Sequence, residues 1–224
     1  MSTVRERLER LKETIRICES LHRREPGSVA LVAVSKRQPV EAVREALAAG
    51  QRAFGENYLK EAKIKIETLA EPAAVWHFIG AVQSNKTAEI TALFDWVHTV
   101  DREKLARRLS EQRPSGRPPL NVCLQVNTSG EESKGGIAPS ALPDLIEAVA
   151  ELPRLKLRGL MSLPAPEIVF ERQRRAFAQL ARLAAESAAP FDTLSIGTSG
   201  DFEAAIAEGS TMVRIGTAVF GPRA

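Results

Sequence analysis

The apolar residues at the start of the chain follow two different patterns. Between Val4 and Leu21 they recur every three or four positions, opposite arginine and glutamate, which predicts an amphipathic helix. After a Glu-Pro-Gly breaker, the valine-rich run VALVAVSK at residues 29–36 is too short for a buried helix. It predicts a strand that is buried on both faces, as in parallel sheets. A helical pattern then covers residues 39–49, with Pro39 at a favoured position in the first turn.

The same alternation of short apolar runs and helical patterns continues along the chain. The further predicted strands are RAFGEN (52–57), VWHFIG (75–80), WVHTV (96–100), LNVCLQVN (120–127), LKLRGLMSL (155–163), DTLSIG (192–197) and MVRIG (212–216). The helices predicted between them cover residues 58–69, 85–93, 102–109, 140–151, 167–186 and 200–208. Strict alternation of this kind favours a parallel sheet with right-handed crossovers.

Eight strand and helix units in 224 residues predict a TIM-type (β/α)8 barrel near the lower limit of its size, preceded by an extra N-terminal helix. The alternative α/β architecture is a doubly wound open sheet. No Gly-x-Gly-x-x-Gly motif follows the first strand, so the dinucleotide-binding form of that fold loses its main support. The Pro-rich stretch at residues 113–119 is predicted as a connection only, so we expect one domain over residues 1–224.

Composition narrows the class of protein further. Hydrophobic residues at 44% and charged residues at 26% exclude a disordered chain or a disulfide scaffold. The net charge of +3 gives no reason to expect nucleic acid as a partner. Cys18 and Cys123 have no paired or metal-like spacing, the first residues lack the apolar stretch of a signal peptide, and no apolar run reaches bilayer length. We therefore expect a cytoplasmic protein with no membrane contact.

Lys36 is the first candidate for chemistry. It is predicted as the last residue of the first strand, and the active sites of TIM barrels lie at the C-terminal ends of the strands. A lysine leaving such an apolar environment is desolvated, which favours the neutral amine that forms an imine with an aldehyde. The alternative is a lysine that extends into solvent at a strand end.

His77 and His98 lie within apolar strands, and no third ligand at metal spacing joins them. They are therefore predicted as hydrogen-bonded histidines rather than metal ligands.

A second candidate lies where the seventh predicted strand meets the following helix. Thr198, Ser199 and Gly200 place hydroxyl and backbone N–H groups at a helix N-terminus, where a phosphate would bind. The alternative is a helix cap, with Thr198-x-x-Asp201 resembling a capping box.

The eighth predicted strand and its exit extend this candidate site. Gly216 and Thr217 follow that strand, and the loops after strands seven and eight form the recurrent phosphate site of TIM barrels. Arg214 lies between apolar neighbours, so we expect it to be buried. Its alternative role is a buried ion pair with an acidic residue.

Several short motifs, which follow one another along nearly the whole chain, resemble those of a known protein family. They are Ala33-Val34-Ser35-Lys36, Phe54-Gly55-Glu56-Asn57-Tyr58, Trp76-His77-Phe78-Ile79-Gly80, Gln83-Ser84-Asn85-Lys86, Gly159-Leu160-Met161, and Gly209-Ser210-Thr211-x-Val213-Arg214-Ile215-Gly216 with Phe220-Gly221. The sequence resembles the pyridoxal 5′-phosphate (PLP) homeostasis protein family. That resemblance implies a single barrel similar to the N-terminal domain of alanine racemase.

The resemblance also implies the cofactor and its ligands. PLP is expected to be covalently bound to Lys36 as an internal aldimine. Ser199, Gly216 and Thr217 would hold the phosphate, and Arg214 would face the pyridine nitrogen. The full set of expected cofactor-binding residues is Lys36, Asn57, Met161, Thr198, Ser199, Gly200, Arg214, Gly216 and Thr217.

The function implied is carriage or buffering of PLP in its intracellular homeostasis, without dedicated turnover. PLP-dependent apoenzymes are the expected partners and a monomer is the expected state, since the domain that builds a racemase-like dimer is expected to be absent. The alternative is a PLP-dependent amino-acid racemase in which Tyr58 supplies the second acid or base, although packing is the preferred role of Tyr58. Lys134, in a basic loop after the fifth predicted strand, is expected to be solvated rather than to bind an anion.

Overall fold

The structure, a computed structural model, describes residues 2–130 and 135–221, in which strands and helices alternate. The strands are β1 (Ala30–Val34), β2 (Ala53–Glu56), β3 (Val75–Phe78), β4 (Trp96–Val100), β5 (Leu120–Gln125), β6 (Leu155–Met161), β7 (Thr193–Ser195) and β8 (Met212–Ile215). The α-helices are α1 (Val4–Leu21), α2 (Val40–Ala48), α3 (Leu59–Leu69), α4 (Thr87–Leu93), α5 (Glu103–Gln112), α6 (Leu142–Ala150), α7 (Phe170–Glu186), α8 (Phe202–Ala207) and α9 (Thr217–Phe220). Short 3-10 helices cover Ser84–Lys86 and Pro139–Ala141.

The eight strands form one closed parallel barrel in chain order. Closure is made by β1 and β8, where Val32 pairs with Arg214. The predicted (β/α)8 barrel is therefore confirmed, and with it the extra helix α1. No helix among the described residues is both long and apolar enough to span a bilayer.

Apolar residues are buried on both sides of the sheet. The larger cluster lies between the strands and the surrounding helices, and α1 contributes Val4, Leu8, Leu11, Ile15 and Cys18 to it. The smaller cluster consists of Val32, Trp96, Cys123, Met161 and Met212. These residues come from five different strands, so their side chains meet inside the barrel. Burial on both faces explains why the strands read as near-continuous apolar runs.

Seven of the eight predicted strands end one or two residues earlier than the pattern indicates. In each, the last predicted residues begin the following loop, although Ser35, Ile79 and Val126 still donate a backbone hydrogen bond to the neighbouring strand. In β1 the pairing with β2 ends at Val34, opposite Gly55. The rim of the barrel therefore consists of loop residues, and these residues surround the site.

All seven helices predicted between strands begin one to three residues later in the structure, and the N-cap residues explain two of these differences. Pro39 is the N-cap residue of α2 rather than its first helical residue, because its backbone is extended and its carbonyl accepts the first helical hydrogen bonds. The helix predicted from residue 200 begins at Phe202, with Asp201 as its N-cap residue. The four-residue helix α9 is absent from the predicted elements, because four residues are too few to show a period.

Candidate functional site

A cavity of about 290 Å³ lies at the C-terminal ends of the strands. It is lined by Val34, Lys36, Asn57, Ile79, Leu163, Thr198, Ser199, Arg214, Gly216 and Thr217. Seven of the nine cofactor-binding residues expected from the sequence are in this set. The apolar lining residues Val34, Ile79 and Leu163 are additions, because an apolar residue at a strand end cannot be distinguished by sequence from ordinary core.

The other two expected residues lie elsewhere. Gly200 lines a smaller cavity of about 160 Å³ beside the first, together with Thr198 and Arg214. Met161 is fully buried in the cluster inside the barrel and does not line the Lys36 cavity. The structure therefore brings Met161 beneath the site rather than into its wall.

Lys36 lies in a turn, which corrects its expected place at the end of a strand. Ser35 N donates to Gly55 O, the chain then leaves the sheet, and Gln38 N donates to Ser35 O at 3.0 Å. Lys36 is thus the second residue of a β-turn. The third residue, Arg37, has a φ of +59°, a conformation that type II turns require at this position and that glycine or asparagine usually adopts. The Lys36 side chain leaves this turn partly buried and lines the cavity.

A buried lysine holds the peptide group that precedes Lys36. The Nζ atom of Lys65, from α3, donates to Ser35 O at 2.6 Å, to Glu56 Oε1 at 2.7 Å and to Glu61 Oε1 at 2.5 Å. Glu56 is fully buried at the end of β2, and burial raises its pKa while Lys65 opposes that rise. Because a lysine in a helical pattern is usually solvated, this cluster has no sequence signal.

The loop after β7 differs from a capping box. Both the backbone N–H and the hydroxyl of Thr198 donate to Asp201 Oδ1, at 2.5 and 2.9 Å. Asp201 is the N-cap residue but makes no side-chain cap bond into α8. The alternative of a helix cap by Thr198 or Ser199 is therefore wrong, because Asp201 is the N-cap residue and its carboxylate accepts from the loop instead. Ser199 lines the cavity beside this closed turn.

The chain after β8 brings a helix start to the cavity. Gly216 is the N-cap residue of α9, and Thr217 is its first residue. The first N–H groups of a helix lack acceptors within the helix, so this end of the cavity presents backbone donors. A Cβ atom at Gly216 would lie 3.1 Å from Val34 O, so the strand end packs closely against β1 here.

Arg214 is a buried cation inside the barrel. Its Nη1 atom donates to both the carbonyl and the hydroxyl oxygen of Ser195 at 2.5 Å, and its Nη2 atom donates to Ser162 O at 3.1 Å. Burial lowers the pKa of Arg214 to about 10, which leaves it protonated at neutral pH. No carboxylate of the described residues lies within 4.0 Å of its guanidinium, so the alternative of a buried ion pair is not supported by this part of the chain.

Two histidines continue the hydrogen bonds of Arg214 across the barrel. Ser195 Oγ contacts His98 Nδ1 at 2.8 Å, and His98 Nε2 contacts His77 Nδ1 at 2.9 Å. Because Arg214 donates to Ser195 Oγ, the serine hydroxyl keeps its proton to donate, and with His98 protonated on Nε2 it would donate to His98 Nδ1 while His98 Nε2 donates to His77 Nδ1. Burial lowers the pKa of His77 to about 3 and also lowers that of His98, so both rings are neutral at neutral pH. The prediction of buried, hydrogen-bonded histidines is confirmed.

The remaining candidates near the cavity are Asn57, Tyr58 and Lys134. Asn57 Oδ1 is buried without a hydrogen-bond partner although Asn57 lines the cavity, so it can accept from a ligand. Tyr58 is 48% exposed as the N-cap residue of α3 and does not line the Lys36 cavity. Its ring lies 5.9 Å from the guanidinium of Arg37. Lys134 lies outside the described residues.

Comparison with known proteins identifies close relatives over the full length. The family model described as alanine racemase, N-terminal domain, matches residues 7–224. The pyridoxal phosphate homeostasis protein of Pseudomonas aeruginosa is 56% identical over 223 residues, which cover 100% of this chain and 97% of that protein. The protein of the same name from Escherichia coli is 48% identical over 229 residues, covering 100% of this chain and 98% of that protein.

Solved structures show the same barrel. PipY of Synechococcus elongatus PCC7942, with PLP bound, is 37% identical with a TM-score of 0.85, and the match covers 98% of this chain and all of PipY. Alanine racemase from E. faecalis is 20% identical with a TM-score of 0.73, covering 98% of this chain and 58% of that protein, a likeness of fold alone. The chain therefore belongs to the pyridoxal phosphate homeostasis protein family, within the wider family of alanine racemase N-terminal domains.

Proposed function

We propose that this protein binds PLP covalently through Lys36 and carries or buffers it for PLP-dependent apoenzymes, without dedicated turnover. One observation supports this most directly: an amine, apolar walls, hydroxyl groups and a buried cation converge on a single cavity at the strand ends. The names of the relatives and the PLP bound to PipY agree with it.

The residues of the cavity fit the parts of PLP. The cofactor supplies an aldehyde, and Lys36 Nζ would attack its carbon, forming a C=N bond and releasing water. Val34, Ile79 and Leu163 would cover the ring and exclude solvent. The unpartnered Asn57 Oδ1 is suited to accept a hydrogen bond from the ring hydroxyl.

The opposite end of the cavity suits the phosphate. Ser199 and Thr217 would offer hydroxyl groups, and Gly216 and the first residues of α9 would offer backbone N–H groups. Thr198 would shape this end rather than donate, because both of its donors are directed at Asp201. Gly200 would support the same loop from the neighbouring cavity. Met161 would support the ring from inside the barrel.

Arg214 is the residue that favours storage over catalysis. A cation beside the pyridine nitrogen disfavours its protonation, so the bound ring is a weaker electron sink. Among the described residues, Tyr58 does not line the cavity with Lys36, so it lends no support to the racemase alternative. We further propose a monomer in the reducing cytoplasm, where the two buried cysteines, which are free thiols, remain reduced.

The covalent bond can be tested with borohydride. Reduction of PLP-loaded protein should fix the cofactor on Lys36, as read by peptide mass analysis, whereas Lys36→Ala should lose the imine absorption completely while retaining some cofactor through the phosphate contacts. The matched control is Lys60→Ala, an exposed lysine of α3 near the same rim, which should leave both signals unchanged. An adduct on another lysine, or imine absorption that survives in Lys36→Ala, would contradict the assignment.

Arg214→Gln tests the electrostatic role of the buried cation. Glutamine keeps an N–H donor for Ser195 and Ser162 but removes the charge, so the ring nitrogen should protonate more easily, by about one pKa unit or more. We expect the pH titration of the bound cofactor's spectrum to shift upward, and Cα-hydrogen exchange of alanine in deuterated water to rise. A variant that binds PLP normally with an unchanged titration would place Arg214 away from the ring.

A further inference from the structure

The strained turn that carries Lys36 is held from both sides by charged side chains, the buried Lys65 and the partly exposed Glu61. On the preceding side, Lys65 Nζ donates to Ser35 O, which also accepts the turn's closing bond from Gln38. On the following side, the N–H of Arg37 donates to Glu61 Oε1, and the same oxygen accepts from Lys65. The hydrogen bonds thus converge on the two peptide groups that flank Lys36.

Glu56 adds a third attachment to the same turn. Its Oε1 atom accepts from Ser35 Oγ at 2.6 Å and from Lys65 at 2.7 Å, while its Oε2 atom is buried without a partner. We call Lys65, Glu56 and Glu61 the Lys65 cluster. Its three members come from the end of β2 and from α3, so they tie the turn after β1 to its neighbouring strand and helix.

The Lys65 cluster is poorly explained by stability alone. The side chain of Lys65 is only 3% exposed and that of Glu56 is fully buried, and burying such charges costs solvation energy that apolar residues would not require. The positive φ of Arg37 is also unfavourable for a residue with a Cβ atom, and glycine would adopt it without strain. Strain that the surrounding structure holds in place is typical of functional sites.

We propose that Lys65 is a positioning residue, which holds the strained turn so that the Lys36 amine is directed into the cavity and thereby sets the rate of cofactor uptake. This inference rests on the proposed function, because it concerns the rate at which the proposed bond between PLP and Lys36 forms. It assigns control of that rate to residues outside the cavity. The groups proposed to bind the phosphate lie after β7 and β8, outside the Lys65 cluster. Loss of Lys65 should therefore slow bond formation without weakening phosphate binding.

The test separates these two steps in Lys65→Met. After mixing with PLP, the rate of imine formation should fall about tenfold or more, because misplacing a reacting group has effects of this size. The affinity for pyridoxine 5′-phosphate, which has no aldehyde, should remain as in the wild type. Glu61→Gln, which changes a partly exposed member of the cluster, should slow imine formation in the same direction and serves if Lys65→Met does not fold.

A rescue distinguishes positioning from a general structural role. In the Lys65→Met background, Arg37→Gly should restore much of the rate, because glycine adopts the positive φ without support. Arg37→Ala removes the same side chain but keeps the strain, so it should not restore the rate. Equal rescue by both substitutions, an unchanged rate in Lys65→Met, or a parallel loss of pyridoxine 5′-phosphate binding would overturn the proposal.

Hydrogen exchange in the cofactor-free protein keeps this test separate from that of the proposed function. The N–H groups of Arg37 and Gln38 should exchange at least several-fold faster in Lys65→Met than in the wild type. If the wild type forms no adduct on Lys36, the proposed function fails, whatever the exchange rates are. If the adduct forms but these amides exchange equally in both proteins, only the role of Lys65 fails.

Discussion

Gly159→Ala should destabilise the protein by about 3 kcal/mol or more, because the new methyl group would overlap backbone atoms. A Cβ atom at Gly159 would lie 1.7 Å from the carbonyl oxygen of Thr193 and 2.7 Å from its carbonyl carbon. Gly159 and Thr193 are register partners between β6 and β7, so the clash cannot be relieved by rotating a side chain. The two strands would have to separate, and the barrel would lose a ladder.

Gly116→Ala is the matched control for this substitution. Gly116 has nothing within 4 Å of its would-be Cβ atom, and its φ is not positive. Its free energy of unfolding in urea should stay within about 0.5 kcal/mol of the wild type, as for other surface changes. If Gly159→Ala were equally mild, it would contradict the close contact between Gly159 of β6 and Thr193 of β7. The approach also matters for the site, since Ser162 directly follows β6 and binds Arg214.

The barrel was predictable from sequence because its strands are buried on both faces. Runs such as WVHTV differ clearly from the helical segments around them, and β4 occupies the predicted residues without change. Strand ends were less predictable, since they depend on turn hydrogen bonds such as the one between Gln38 and Ser35. Lys36 lines the cavity at the rim, as its place after the first strand predicts, although it lies in a turn rather than at a strand end.

The supporting residues of the site were harder to predict than its lining. Lys36, Ser199 and Thr217 follow strands of the barrel, and position in the fold alone marks such residues. The bond between His98 and Ser195 joins β4 to β7, which are not neighbours in the sheet, so it exists only because the barrel is closed. The burial of Lys65 could not be predicted from sequence for a similar reason, because its partner Glu56 belongs to another element.

The hydrogen-bond chain through His77 and His98 makes acid stability a sharp test of the barrel interior. A folded-state pKa of about 3 for His77, against 6.5 in the unfolded chain, means that the unfolded state binds an extra proton between these values. Stability from this residue is therefore complete above about pH 6.5 and is lost as the pH falls towards 3, with a limit of roughly 5 kcal/mol. His98, whose pKa is also lowered, adds to the loss in the same direction.

We expect the free energy of unfolding, measured in urea at pH values from 7 to 4, to fall steeply in the wild type. The double variant His77→Gln/His98→Gln should show a much shallower fall, because glutamine can donate and accept in the same chain but does not titrate in this range. Nitrogen NMR of the folded protein at pH 5 should show neutral rings, with the proton of His98 on Nε2. A charged His77 at that pH would mean that the barrel interior admits water and that Arg214 is not held by a neutral chain.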